Sequence, residues 1–259
     1  MLTNNNEQFK SSNAIHWWHS IDLGNGSVTP GTDSLQNLQR SFTNLRLPAL
    51  TGQSVLDIGA NDGFFSFEAE RQGAGRVVAM DYFYWHSFTG GTIGHTNHEP
   101  KSPSDLPGKR GFDFAHHKLS SRVESIVDDF MTTDLDRLGS FDVVLFLGVL
   151  YHLQHPLLAL QRLARVTKKL AVIETHAIDV PGFRDHAICE FYETSQLNND
   201  ATNWWGPNVK ALVDLCRTAG FRKVDVIRGA PVGGRLGLPL PRLGRGKVRH
   251  YRALVHAWK

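Results

Sequence analysis

Three carboxylates, each near the end of an apolar run, are the residues whose types and spacing point to chemistry. Asp57 lies in Val55-Leu56-Asp57-Ile58-Gly59-Ala60-Asn61-Asp62-Gly63, a run that closes on a glycine turn. Such a turn lets a ligand approach the backbone, and the helix after it offers free N–H groups. Asp81 follows 24 residues later, at the end of a second apolar run. A carboxylate there can accept hydrogen bonds from both ribose hydroxyls. Asp129 stands where a third run ends and is followed by Phe130. The acid suits an adenine amino group, and the ring can lie on the purine face. Taken in this order, Asp57, Gly59, Asn61, Gly63, Asp81, Tyr82, Asp129 and Phe130 read as the binding set for an adenosyl ligand. The bland reading is a cap, two solvated turn acids and tight-turn glycines. The dinucleotide pattern GxGxxG is absent.

Strands alternating with helices must position these residues. Residues 54–59, 76–81, 123–129, 141–148 and 169–175 read as strands. Residues 64–71, 112–123, 156–166 and 207–219 read as helices, with a weaker helical period over 34–45. Residues 223–228 and 252–258 read as a last pair of strands that can form a hairpin. This order argues for one α/β domain with a mostly parallel sheet and helices on both faces. The first 50 residues, polar and aromatic, read as an N-terminal cap that contributes to the active site. Residues 51–259 read as the main domain, interrupted by an insertion at about 84–111 rich in Gly, Pro, His and Ser. Loops of that length are commonly lids or disordered.

Composition narrows the class. Of 259 residues, 41% are apolar and 20% charged, the profile of a soluble globular chain. No run of about 18 apolar residues supports a membrane span. The N-terminus lacks a secretory pattern, and two cysteines cannot build a disulfide framework, so a cytoplasmic setting is expected. Net charge is only +3, yet 11 basic residues and one acid lie between Arg217 and Lys259. A basic end of that kind can hold a phosphate or a polyanion.

The glycine turn, Asp81 and Asp129-Phe130 resemble the motifs of class I S-adenosylmethionine-dependent methyltransferases over about residues 50–258. The resemblance implies S-adenosylmethionine (SAM) as cofactor and a Rossmann-like seven-stranded sheet ending in an antiparallel hairpin. A narrower likeness is carried by Leu147-Gly148-Val149-Leu150-Tyr151-His152, His155-Pro156-Leu157, Ile173-Glu174-Thr175, Ser20-Ile21-Asp22 and Tyr251-Arg252-Ala253-Leu254. These segments resemble the tRNA uridine-34 carboxymethyltransferases, which use a carboxylated SAM. By that resemblance Tyr151 and Arg252 match residues that hold the extra carboxylate, and Leu147 matches a cofactor contact. The lysine that also reads this carboxylate is replaced by Ser11, with Lys10 one residue off. The segment after Ile-Asp is replaced too, and the 84–111 insertion has no counterpart there. Losing a cationic reader removes a reason to prefer the carboxylated donor, so ordinary SAM is expected.

Methyl transfer needs a base only when the acceptor holds a proton. Candidates at the ends of the fourth and fifth strands are His152, Glu174 and His176. His152 suits the task on its unshifted pKa; either histidine can instead simply bond a backbone carbonyl. Tyr151 fits the methionine end of the cofactor pocket. Trp17, Trp18, His19, Trp204 and Trp205, with Arg252, are the candidate substrate residues, because paired tryptophans in polar loops can wall a planar or sugar substrate. Packing of the cap onto the sheet is the alternative for the tryptophans. The thirteen histidines, among them His86, His95 and His98, form no zinc spacing, so no metal is expected. The basic run Arg235, Arg242, Arg245, Lys247 and Arg249 suits a phosphorylated small molecule or RNA. The expected function is methyl transfer to an oxygen or nitrogen of a small molecule. A tRNA wobble-uridine enzyme is the runner-up, and a non-catalytic adenosyl-binding subunit is the rival from another class.

Overall fold

Short apolar β segments and amphipathic helices alternate along the chain, as the sequence predicts. The computed structural model describes residues 15–24, 26–83, 107–231 and 248–259. Residues 84–106 of the insertion, with His86, His95 and His98, lie outside the described residues, as do Lys10, Ser11, Arg235, Arg242, Arg245 and Lys247. The chain divides into two compact units, Met1–Thr132 and Thr133–Lys259.

The first unit holds α1 (Leu35–Asn44), β1 (Ser54–Ile58), α2 (Phe64–Arg71), β2 (Arg76–Asp81), α3 (Pro107–Leu119) and β3 (Glu124–Val127). β1 pairs in parallel with β2, and β2 with β3. Strands covered on both faces need apolar side chains throughout. Val55, Leu56, Val78, Ala79 and Met80 are accordingly fully buried. Ser34 caps α1 by accepting the Asn37 N–H. α3 begins five residues earlier than its apolar period suggests, at Pro107, whose fixed φ suits a first helical turn.

The second unit holds α4 (Leu135–Leu138), β4 (Phe141–Leu147), α5 (Pro156–Val166), β5 (Thr167–Asp179), β6 (Cys189–Phe191), β7 (Trp205–Pro207), α6 (Val209–Thr218), β8 (Lys223–Arg228) and β9 (Arg249–Trp258). β4 and β5 are parallel; β9 runs antiparallel to both β5 and β8. β5 is longer than its apolar run because β9 pairs with it from Leu170 to Asp179. Pro207 closes β7 rather than opening the following helix, whose N-cap is Asn208. The antiparallel pair β6–β7 is a small separate sheet.

Seven strands thus form one sheet in the order β3-β2-β1-β4-β5-β9-β8, mostly parallel with a C-terminal antiparallel hairpin. This is the Rossmann-like α/β class expected. Among the described residues, no helix is long and apolar enough to cross a membrane.

Candidate functional site: a nucleoside crevice and a titratable cluster

In the first unit, the turn after β1 is left-handed at Gly59 (φ 79°), Asn61 (φ 51°) and Gly63 (φ 91°). Gly63 is the N-cap of α2, and no side chain caps that helix end. Its first N–H groups are therefore left to other partners, a ready anion-binding feature. A Cβ at Gly63 would lie 2.7 Å from the rings of both Phe67 and Phe112, so close packing as well as φ demands glycine.

Asp81 ends β2 and is buried. Its Oδ2 accepts the Asn61 N–H and its Oδ1 the Phe83 N–H, both at 2.7 Å. These two bonds fix how the carboxylate is turned. Tyr82 is exposed beside it, and Phe83 is buried. At the end of β3, Asp129 Oδ1 accepts the Met131 N–H at 2.8 Å, and Phe130 is buried. The Asp128 N–H bonds the Asp81 carbonyl at 3.2 Å, which ties these two strand ends together. Asp57 is different. It points into the core, where it accepts the Ser66 hydroxyl at 2.7 Å. Burial raises its pKa to about 6, against the lowering effect of Ser66 and His19. Its evident task is to fix β1 to α2.

Asp62, which sequence reasoning did not single out, anchors the segment before β1. Its Oδ2 accepts the N–H groups of Trp18 (2.8 Å) and His19 (2.9 Å), and its Oδ1 bonds the His19 ring. Burial opposes a charge on His19, but Asp62, with Asp57 and Asp33, outweighs it and raises the pKa. His19 is therefore committed to the glycine turn. Trp17, expected to wall a substrate, is instead 2% exposed and packs edge-on against Phe114, where it anchors the segment before β1. Trp18 is 41% exposed.

In the second unit, Tyr151 and His152 lie in a 3-10 turn after β4, which ends at Leu147. His152 Nδ1 is 2.9 Å from the Thr202 hydroxyl, and burial lowers its pKa to about 4. His152 is thus a neutral, weakly basic imidazole bonded to Thr202, not one on the ordinary pKa that its residue type suggests. Glu174 is held by arginines. Its carboxylate grips Arg252 through both oxygens and reaches Arg228 at 3.2 Å, so it is a paired anion rather than a free base. Arg252, read as a substrate contact, spends its Nε and one terminal nitrogen on Glu174 and lies 4.9 Å over the Tyr151 ring. Trp204 and Trp205 are half-buried; the Trp204 N–H donates to the Tyr151 carbonyl at 2.8 Å, and Trp205 packs on Phe191. His176 is buried and joins Tyr192 and His250. Among the described residues no group of three His, Cys, Asp or Glu side chains could hold a metal ion.

A Rossmann-like sheet with an uncapped glycine turn and oriented strand-end acids defines a nucleoside-binding α/β protein. The sequence matches the family described as "Methyltransferase domain" over residues 34–226, and the chain belongs to that family. It is 27% identical over 182 residues to a protein named tRNA U34 carboxymethyltransferase from Helicobacter pylori (strain Shi470) and 24% identical over 189 residues to one from Alteromonas mediterranea. These alignments cover 69% and 70% of this chain, and 59% and 48% of those relatives. The chain thus spans about half to three-fifths of their length. Its fold is similar to the N-terminal domain of EvdMO1, crystallised in the presence of SAH and D-fucose. That likeness has a TM-score of 0.62 and 19% identity and covers 97% of this chain and 94% of that one. A Haemonchus contortus phosphoethanolamine N-methyltransferase gives 0.52 at 16% identity, over 74% of this chain and 38% of that one.

Proposed function

We propose that the chain is a SAM-dependent methyltransferase that methylates an oxygen or nitrogen of a small molecule. One observation carries the cofactor reading: Asp81 is buried, oriented by two backbone N–H groups, and set beside an uncapped glycine turn. Asp81 would hold the ribose hydroxyls, and Asp129 with Phe130 the adenine. Tyr82 would flank the adenosine. The bound group supplies a methyl already activated on a sulfonium. The protein then has to position the acceptor, exclude water and accept a proton. Trp204 and Trp205 would contact the acceptor, and the segment before β1 would serve as a cap.

Two features favour SAM itself over a carboxylated form. The expected lysine is Ser11 in the sequence, and Arg252 is already neutralised by Glu174. The second reading, a tRNA wobble-uridine enzyme, is favoured by the names of the curated relatives and by the basic C-terminal stretch. Labelled methyl transfer from SAM to the small-molecule fraction of a cell extract, beside bulk tRNA, tests both. Label in the small molecules is expected. Label only in tRNA, with salt-sensitive tRNA retention on a filter, would replace the first reading by the second.

A further inference from the structure

The second unit contains a line of side chains that ends at its surface. His176 Nε2 is 2.9 Å from the Tyr192 hydroxyl, and that hydroxyl donates to Glu190 Oε2 at 2.9 Å. His176 and Tyr192 are buried, whereas the Glu190 side chain is 34% exposed. The line is closely built: a Cβ on Gly206 would lie 2.6 Å from the Tyr192 hydroxyl and 3.2 Å from the His176 ring. His250 stacks on His176 at 5.3 Å, with its Nδ1 3.3 Å from His176 Nε2 and 3.9 Å from Glu190.

Proton counting fixes the tautomer. An ionised carboxylate only accepts, and a phenol has one proton to give. Burial, followed by Glu190, pushes the Tyr192 pKa well above the ordinary phenol range, so that proton stays and points to Glu190. The Tyr192 oxygen can then only accept from His176, so the Nε2 carries the hydrogen. Burial, with His250 and Arg252 nearby, lowers the His176 pKa to about 4, so the ring is neutral and its lone pair is on Nδ1. No described residue hydrogen-bonds that nitrogen, and the fully buried unpartnered atoms are others: the Thr175 and Tyr251 hydroxyls and the Asn203 carboxamide oxygen.

We propose that Glu190 and Tyr192 are positioning residues that hold His176 as an Nδ1 base and carry its proton to solvent. This deepens the methyl-transfer reading and rests on it. As the acceptor oxygen or nitrogen bonds the methyl carbon, the carbon–sulfur bond breaks and the sulfonium becomes a neutral thioether. The acceptor's proton passes to His176 Nδ1, the Nε2 proton passes to the Tyr192 oxygen, and the Tyr192 proton passes to Glu190, which loses it to water. His176 ends neutral in its other tautomer. The relay thus lets a weakly basic imidazole serve, because the proton leaves through an exposed carboxylate and no cation is left in the core.

The test is ¹⁵N NMR of histidine-labelled full chain, with His176 assigned by the signal lost in His176→Asn. Wild type is expected to show a protonated Nε2 and a bare Nδ1. Tyr192→Phe keeps the ring packing but removes the acceptor, and a mixture of tautomers is expected. Glu190→Gln still accepts from Tyr192, so the tautomer should persist while the rate of labelled transfer falls tenfold or more at unchanged affinity for S-adenosylhomocysteine. A protonated Nδ1 in wild type, an unchanged tautomer in Tyr192→Phe, or a wild-type rate in Glu190→Gln would overturn the relay. The ring signal needs neither donor nor acceptor, so it decides the tautomer even where methyl transfer fails its own test.

Discussion

The carboxylate of Asp81 accepts the backbone N–H of Asn61 at 2.7 Å, which clamps the end of β2 to the turn after β1. Two features that are separate in sequence, an acid after one strand and a glycine turn after another, thereby become one rigid edge. Bonds from backbone donors to a carboxylate are among the stronger polar contacts, and here two of them fix how the group is turned. An acid that was merely a solvated turn residue would not be buried and held twice over.

Gly63→Ala is expected to destabilise the protein by about 2 kcal/mol or more, because a methyl in a left-handed position would press on Phe67 and Phe112. Urea unfolding checks this; a stability equal to wild type would mean that the aromatic rings yield freely.

The His19–Asp62 contact has a pH signature. The folded-state pKa of His19 is raised above its unfolded value of 6.5. Its stabilisation is therefore complete below about pH 6.5 and is lost as pH rises through the folded pKa. In thermal unfolding from about pH 6 to about pH 9, the gap between wild type and His19→Gln should be widest at the acid end and narrow with alkali. A constant gap would show that His19 acts through packing alone.

Glu174→Gln separates a paired anion from a base. With Arg252 and Arg228 partly exposed, losing their shared carboxylate should cost about 1–2 kcal/mol of stability, discounted for solvent screening. Turnover should stay within severalfold of wild type. A hundredfold loss in kcat at unchanged stability would restore Glu174 as the base.

Much of this architecture is legible in the residues. β2, α2, α5 and β8 begin and end where apolar runs meet Gly, Pro or charge. Asp81 is legible because an acid stops a run of buried side chains. Less visible are features that depend on tertiary pairing. β6 and β7 are three residues each, too short for periodicity. Asp62 acquires its role from Trp18 and His19, more than 40 residues away. Glu190 lies two residues from Tyr192, but the line is completed by His176 on β5. His152 and Glu174 have suitable types at suitable places, yet burial and two arginines change what they can do.

The most direct measurement is calorimetric titration of S-adenosylhomocysteine into wild type and Asp81→Ala. One molecule per chain is expected to bind wild type, with Asp81→Ala weaker by about 1–3 kcal/mol for loss of the ribose acceptor. No heat with wild type, or equal affinity in a folded Asp81→Ala, would contradict a nucleoside held at the end of β2.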